Sequence, residues 1–361
     1  KRITGGGWMM GRLRLKALDE QTLVVTGASS GIGRVTATTA AARGARVVLA
    51  ARDRDALEEV GDAIERAGGE AVCVAADVAD PDAVERVART AERAFGGFDT
   101  WVNNAGVTVV GTVEEISLAD ARRLMDVNFW GVVHGSRAAA ARLRHSGGAI
   151  VTVGSALSDR AVPLQGMYAA TKHAVQAFVD ALRMELAHDG APVSVSLVKP
   201  ASIDTPIYET ARNYLGVEPR PIPPLYAPEV VARAILRCAV RPTRSVFAGG
   251  AGAALAAAGA LAPGLTDRVM ARTFVRLERG DALETAPPGN LWEPADTRRT
   301  RAARAELLGP VLERSAWTAA STRPALGALG AVALAGLGAA AISALRPRGG
   351  AEHREDAEDA G

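Results

Sequence analysis

Between residues 21 and 200 short apolar runs recur, each closed by a polar or small residue and followed by a longer stretch rich in Ala, Arg and Glu. The runs include Leu23 to Thr26, Arg46 to Ala50, Val72 to Ala76, Thr100 to Asn103 and Ile150 to Val153. Brief, nearly unbroken apolar segments are the pattern of strands buried on both faces, and the intervening stretches are long enough for helices. This alternation predicts an α/β fold, a doubly wound parallel sheet of Rossmann type with helices on both faces. Ligands of such sheets lie beyond the carboxyl ends of the strands, so the polar strand tips are expected to converge on one crevice.

The first tip is Gly27-Ala28-Ser29-Ser30-Gly31-Ile32-Gly33, between a strand and an alanine-rich helical stretch. Glycines there allow positive φ and close approach of backbone to a pyrophosphate, and the helix N-terminus offers free N–H groups. The spacing Gly-x3-Gly-x-Gly departs from the plain Gly-x-Gly-x2-Gly fingerprint. The second strand ends in Ala51-Arg52-Asp53, the place where the adenosine ribose is read. The guanidinium of Arg52 favours NADP(H), whereas Asp53 is a rival reader that would accept from the 2′-OH of NAD. Further along, Tyr168 and Lys172 stand four apart on a predicted helix, which puts a phenol and an ammonium on one face. A neighbouring cation is expected to lower the phenol's pKa from its usual value near 10 towards the range of a general acid or base.

Taken together, Thr26-Gly27-x3-Gly31-Ile32-Gly33, Asp77-Val78, Asn103-Asn104-Ala105-Gly106, Asn128, Ser155, Tyr168-x3-Lys172 and Pro200-Ala201-Ser202-Ile203-Asp204-Thr205 resemble the short-chain dehydrogenase/reductase family in its classical branch, over about residues 21 to 210. The resemblance implies an oxidoreductase that interconverts a carbonyl and an alcohol. It gives Tyr168 the role of proton donor or acceptor. Lys172 would tune Tyr168 and bind the nicotinamide ribose, Ser155 would hydrogen-bond the substrate oxygen, and Asn128 would hold a water leading to Lys172. For the cofactor it implies Gly27, Ser29, Ser30, Gly31, Ile32 and Gly33 around the pyrophosphate, Asp77 and Val78 at the adenine, and Asn104, Ala105 and Gly106 along the groove. Pro200, Ile203 and Thr205 would lie near the nicotinamide. It further implies a homodimer or homotetramer built on the helices after strands four and five. One departure is Pro200-Ala201 where the family usually has Pro-Gly, which puts the geometry of that turn in question.

From Pro206 to Pro228 prolines and tyrosines break the rhythm, and by resemblance this segment, about 206 to 228, is a lid over the substrate. The expected substrate pocket, between the lid and the loop from Ser158 to Met167, is lined by Val162, Leu164, Met167 and Ile207, with Gln165 and Tyr208 for polar contact. This apolar set points to a lipophilic carbonyl or alcohol, with a soluble sugar or polyketide as the competing class.

The organisation expected is a basic arm (1–20), a catalytic domain (21–245), an extension with helical character (246–324), an apolar Ala/Gly-rich stretch (325–345) and an acidic tail (346–361). The stretch from Ala325 to Leu345 is uncharged and about long enough to span a bilayer as a helix, with Gly327, Ala331, Ala335 and Ala339 as a small-residue stripe. A helix packed on its own domain, or a low-complexity tail, competes with that membrane reading. The formal charge of +2 gives no reason to propose nucleic acid, and the two cysteines imply no disulfide framework. The five histidines lack ligand spacing, so no metal is assigned. With no signal-peptide pattern at the start, the catalytic part is expected in the cytoplasm, with membrane association resting on 325–345. The alternatives to an enzyme are a non-catalytic NADP(H) sensor on the same fold, which predicts loss of a catalytic residue, and a membrane scaffold, which deletion of residues 315 to 361 would discriminate.

Overall fold

The structure is a computed structural model and describes residues 13–283, 288–295, 301–305 and 310–322. Contacts divide the chain into a compact unit, Lys1–Ala319, and a second unit from Ala320 to Gly361, of which only 320–322 are described. The stretch 325–345 therefore lies outside the described residues. No helix among the described residues is long and apolar enough to cross a membrane.

Seven parallel strands form the main sheet: β1 (Thr22–Thr26), β2 (Arg46–Ala51), β3 (Glu70–Ala75), β4 (Thr100–Asn103), β5 (Gly148–Val153), β6 (Val193–Pro200) and β7 (Ser245–Ala248). Their order is β7-β6-β5-β4-β1-β2-β3, so the winding reverses between β1 and β4. The helices are α1 (Gly31–Ala41), α2 (Arg54–Arg66), α3 (Pro81–Phe95), α4 (Leu118–Met125), α5 (Gly131–Ser146), α6 (Gly166–His188), α7 (Pro228–Val240), α8 (Gly250–Leu261) and α9 (Pro263–Leu277). A π-helical turn, Asp126–Trp130, joins α4 to α5.

Alternation along each strand sorts side chains into two cores. Val24 and Val48 face the core under α3, α5 and α6, whereas Leu23, Val25, Val47 and Leu49 face the one under α1, α2 and α7. Both faces of the sheet are thus covered, which is why its strands read as unbroken apolar runs. Helix boundaries follow local chemistry. Asp53 caps α2 by accepting from Ala56 N at 3.0 Å, Asp80 and Pro81 open α3, and Gly96 closes it at φ 77°.

Residue 246 was expected to begin the extension, yet Val246 to Ala248 belong to β7, the last strand of the sheet. Beyond it the chain folds back over the catalytic face. Arg279–Ala282 pairs antiparallel with Val217–Pro219, and Val311–Leu312 pairs parallel with Leu225–Tyr226. Arg212–Asn213 in turn pairs with Val109–Val110 beyond β4. The segment expected as a lid is therefore stitched down on both sides.

Candidate active site

The site grows from the carboxyl ends of β1, β4 and β5. At the end of β1, Thr26 Oγ1 donates to Val102 O at 3.2 Å and accepts from Asn104 N (3.0 Å) and Ala105 N (3.1 Å). The Asn104 side chain donates to Thr26 O and Gly27 O, pinning the glycine turn to the end of β4. This turn needs its glycines. Gly27 has φ 65°, and a Cβ on Gly33 would sit 2.0 Å from Gly27 O. The backbone of Gly27 to Ile32 is thereby held at the rim of a groove.

That groove is lined by Gly27, Ser29 to Ile32, Arg52, Asp53, Asp77, Val78 and Asn104 to Gly106. All the expected cofactor residues before Tyr168 border it except Gly33, which is buried behind the turn. A dinucleotide fits this set: a glycine cradle with amides at the start of α1, polar groups at the β2 tip, and a path towards Lys172. Arg52, however, is turned on the protein itself. Its guanidinium donates to the carbonyls of Leu291 (3.3 Å) and Trp292 (2.9 Å) and also meets Asn290 O. Burial lowers its pKa, with Asp77 opposing. Burial pushes the Asp77 carboxyl up, but hydrogen bonds from Arg123 and Ala79 N outweigh this and hold it below the ordinary value.

The groove runs into a second, more apolar cavity, and the two share Ile32, Asn104, Gly106, Thr205 and Ile207. Ser155, Tyr168, Lys172, Pro200 and Ile203 border this second cavity. Ser155 stands beside Tyr168, and Lys172 Nζ lies 5.6 Å from the centre of the Tyr168 ring while donating to Val153 O at 3.1 Å. Burial pushes the phenol up to about 12, only partly offset by Ser155, and burial brings Lys172 down to about 8. Desolvation is the largest cause for both groups.

Asn128 lies fully buried in the π-helical turn between α4 and α5. Its side chain accepts from Val107 N (2.9 Å) and donates to Val107 O (3.0 Å) and Thr171 Oγ1 (3.2 Å), tying the chain beyond β4 to α6. It borders neither cavity, so the amide anchors the site rather than facing it.

Of the expected substrate residues, Val162, Gln165, Ile207 and Tyr208 line the apolar cavity. Met167 does not. One residue before Tyr168 at the start of α6, it packs against the core under that helix. Leu164, in the left-handed region at φ 63°, is buried behind the wall. Residues beyond sequence reasoning also border the cavity, among them Leu157, Ile222, Leu255 and Phe274, and Glu278 meets its lining residue Gln165. Gln165 Nε2 donates to Glu278 Oε1 at 2.8 Å and to Tyr208 Oη at 3.2 Å, and burial pushes Glu278 up to about 7. No periodicity marked Glu278, since only the return of the extension brings it to Gln165.

A sequence profile of the short chain dehydrogenase family matches residues 21–215, the part of the chain that carries the sheet's first six strands and both halves of this site. The chain belongs to the short-chain dehydrogenase family. It is 44% identical over 273 residues to the uncharacterized oxidoreductase YxnA of Bacillus subtilis, covering 75% of this chain and 77% of that one. It is 35% identical over 249 residues to the 11-beta-hydroxysteroid dehydrogenase A of Sesamum indicum, covering 66% and 71%. Among solved structures, an alcohol dehydrogenase from the archaeon Thermococcus sibiricus, complexed with 5-hydroxy-NADP, superposes with a TM-score of 0.56 at 28% identity over 63% of this chain and 95% of that one. This short-chain dehydrogenase is accordingly an oxidoreductase. Its turn at Pro200-Ala201 is accommodated by packing: a Cβ at Gly249 would lie 2.8 Å from the Ala201 methyl, and Gly249 has none.

Proposed function

We propose that this protein is an NADP(H)-dependent oxidoreductase that interconverts a carbonyl and an alcohol on a lipophilic small molecule. The observation that carries the reading is the meeting of Ser155, Tyr168 and Lys172 in an apolar cavity into which a glycine-cradled groove runs. NADPH held by the groove's glycine turn would supply the hydride that the protein's own groups cannot. The protein supplies position and the proton. In reduction, Tyr168 gives its phenolic proton to the substrate oxygen, which Ser155 holds by a hydrogen bond. In oxidation the same phenol, as its anion, takes the proton back. Lys172 steadies that anion and holds the nicotinamide ribose, while Asn128 keeps the Val107 backbone and α6 in register around them.

The NADP analogue bound by the archaeal alcohol dehydrogenase supports the phosphorylated cofactor. Leu157, Val162, Ile207, Ile222, Leu255 and Phe274 make the substrate cavity suited to a polycyclic or long-chain compound. The hydroxysteroid dehydrogenase among its relatives supports that class. Gln165 and Tyr208 offer a polar corner for a second oxygen on the substrate. The test is cofactor absorbance with NADPH and NADH against steroid, retinoid, aromatic and short-chain carbonyls, with Tyr168→Phe as control. Turnover of the lipophilic set with NADPH, absent in the variant, is expected. Cofactor binding with no turnover across the panel would favour a sensing role.

A further inference from the structure

The chain beyond the family-matched region returns to the cofactor groove. Asn290, Pro294, Ala295 and Arg301 border it together with Ser29 to Ile32 and Asp53. This strap is built into the fold. Leu291 is fully buried, Asn290 N donates to Thr210 O at 2.8 Å, and the Trp292 indole donates to Asp120 at 2.8 Å. At the far end Arg34 donates to Arg301 O at 2.8 Å, and Gly31 N, at the start of α1, donates to Ala302 O at 3.0 Å.

The strap alters the charges at the β2 tip. Arg52 has its guanidinium on three strap carbonyls, so it is not free to form a two-pronged pair with a phosphate. In its place a second guanidinium stands at the same tip. Arg301, largely buried, lies 3.2 Å from Asp53 and 3.0 Å from Glu59. Asp53 alone would accept from a ribose hydroxyl and repel a phosphate. With Arg301 against it, that repulsion is neutralised. The Glu59 side of the pair is half-exposed and so weakly held, whereas an arginine and a phosphate make a strong bidentate pair.

We propose that Arg301 is a specificity-determining residue of the dinucleotide site, exchanging its contact with Glu59 for the 2′-phosphate of the adenosine ribose. The assignment rests on the NADP(H) reading above. Full-length wild type, Arg301→Gln and Arg301→Lys are titrated calorimetrically with NADPH and NADH, and with adenosine 2′,5′-bisphosphate and 5′-AMP, which carry no reactive ring. The glutamine variant is expected to weaken NADPH and the bisphosphate at least tenfold, to leave NADH and 5′-AMP within about threefold, and to be partly restored by lysine. Wild type that prefers NADH would overturn the NADP(H) reading itself. Wild type that prefers NADPH, with the preference unchanged in Arg301→Gln, would overturn the role of Arg301 alone. Equal weakening of all four ligands would assign Arg301 to strap structure and overturn it likewise.

Discussion

At the residue scale, a Tyr168 phenol pushed up to about 12 stays protonated throughout the neutral range. Its acid form, which reduction uses, is then fully populated, while the anion that oxidation needs is scarce and grows about tenfold per pH unit. Reduction is expected to be flat between about pH 6 and 8, and log kcat/KM for oxidation to rise with a slope of about one, bending where Lys172 loses its charge near 8. Tyr168→Phe should lower both directions by about 10²–10⁴-fold and leave cofactor affinity nearly unchanged, as initial rates and calorimetry would show. Glu278 carries a second titration. Its pKa, raised from 4.5 to about 7, means the folded state holds a proton that the unfolded chain has released, so stability falls as pH rises through that window. Glu278→Gln keeps the acceptor for Gln165 and removes the charge. The variant is expected to melt higher than wild type at pH 8 and with it at pH 4, by scanning calorimetry.

At the scale of elements, the turn into α1 depends on a missing side chain. Alanine at Gly33 would set its methyl 2.0 Å from Gly27 O and 2.7 Å from Gly27 C, both backbone, so the neighbour has little room to yield. Gly33→Ala should cost roughly 1–3 kcal/mol by urea unfolding and displace the cofactor cradle. Gly264→Ala in α9, with open space around it, should be neutral or stabilising by up to about 1 kcal/mol. Sequence spacing was sufficient for α6, where four residues return to the same face and bring Tyr168 and Lys172 together. It was insufficient for Met167, because a loop-and-helix junction does not announce which neighbour faces the cavity.

For the whole molecule, the extension closes both cavities, with Leu255 and Phe274 on the substrate side and Asn290 and Arg301 on the cofactor side. The family resemblance implies association through α5 and α6. Near the start of α5, Trp130 remains half-exposed, edge-on to Phe129 and stacked with His134, and Phe129 meets Phe178 of α6 edge-on. Such an aromatic face is suited to self-association. Sedimentation is expected to find a dimer or tetramer, and Trp130→Glu to shift it towards monomer without loss of helical signal.

Local patterning was enough to determine the parallel sheet, the glycine turn and the pairing of Tyr168 with Lys172 on one helix face, whereas Ser155 came from the family resemblance. Strand runs, glycine spacing and an i, i+4 pair are short-range signals whose physical meaning does not depend on distant residues. Tertiary structure decided the rest. The direction of the Tyr168 and Lys172 shifts comes from burial, which is a property of everything packed around them. The partners of Arg52, Asn128 and Gln165 come from segments as far along the chain as Leu291, Thr171 and Glu278. Ion pairing at the ribose end likewise waits on Arg301, which no spacing links to Asp53 and which borders the same groove in the folded chain.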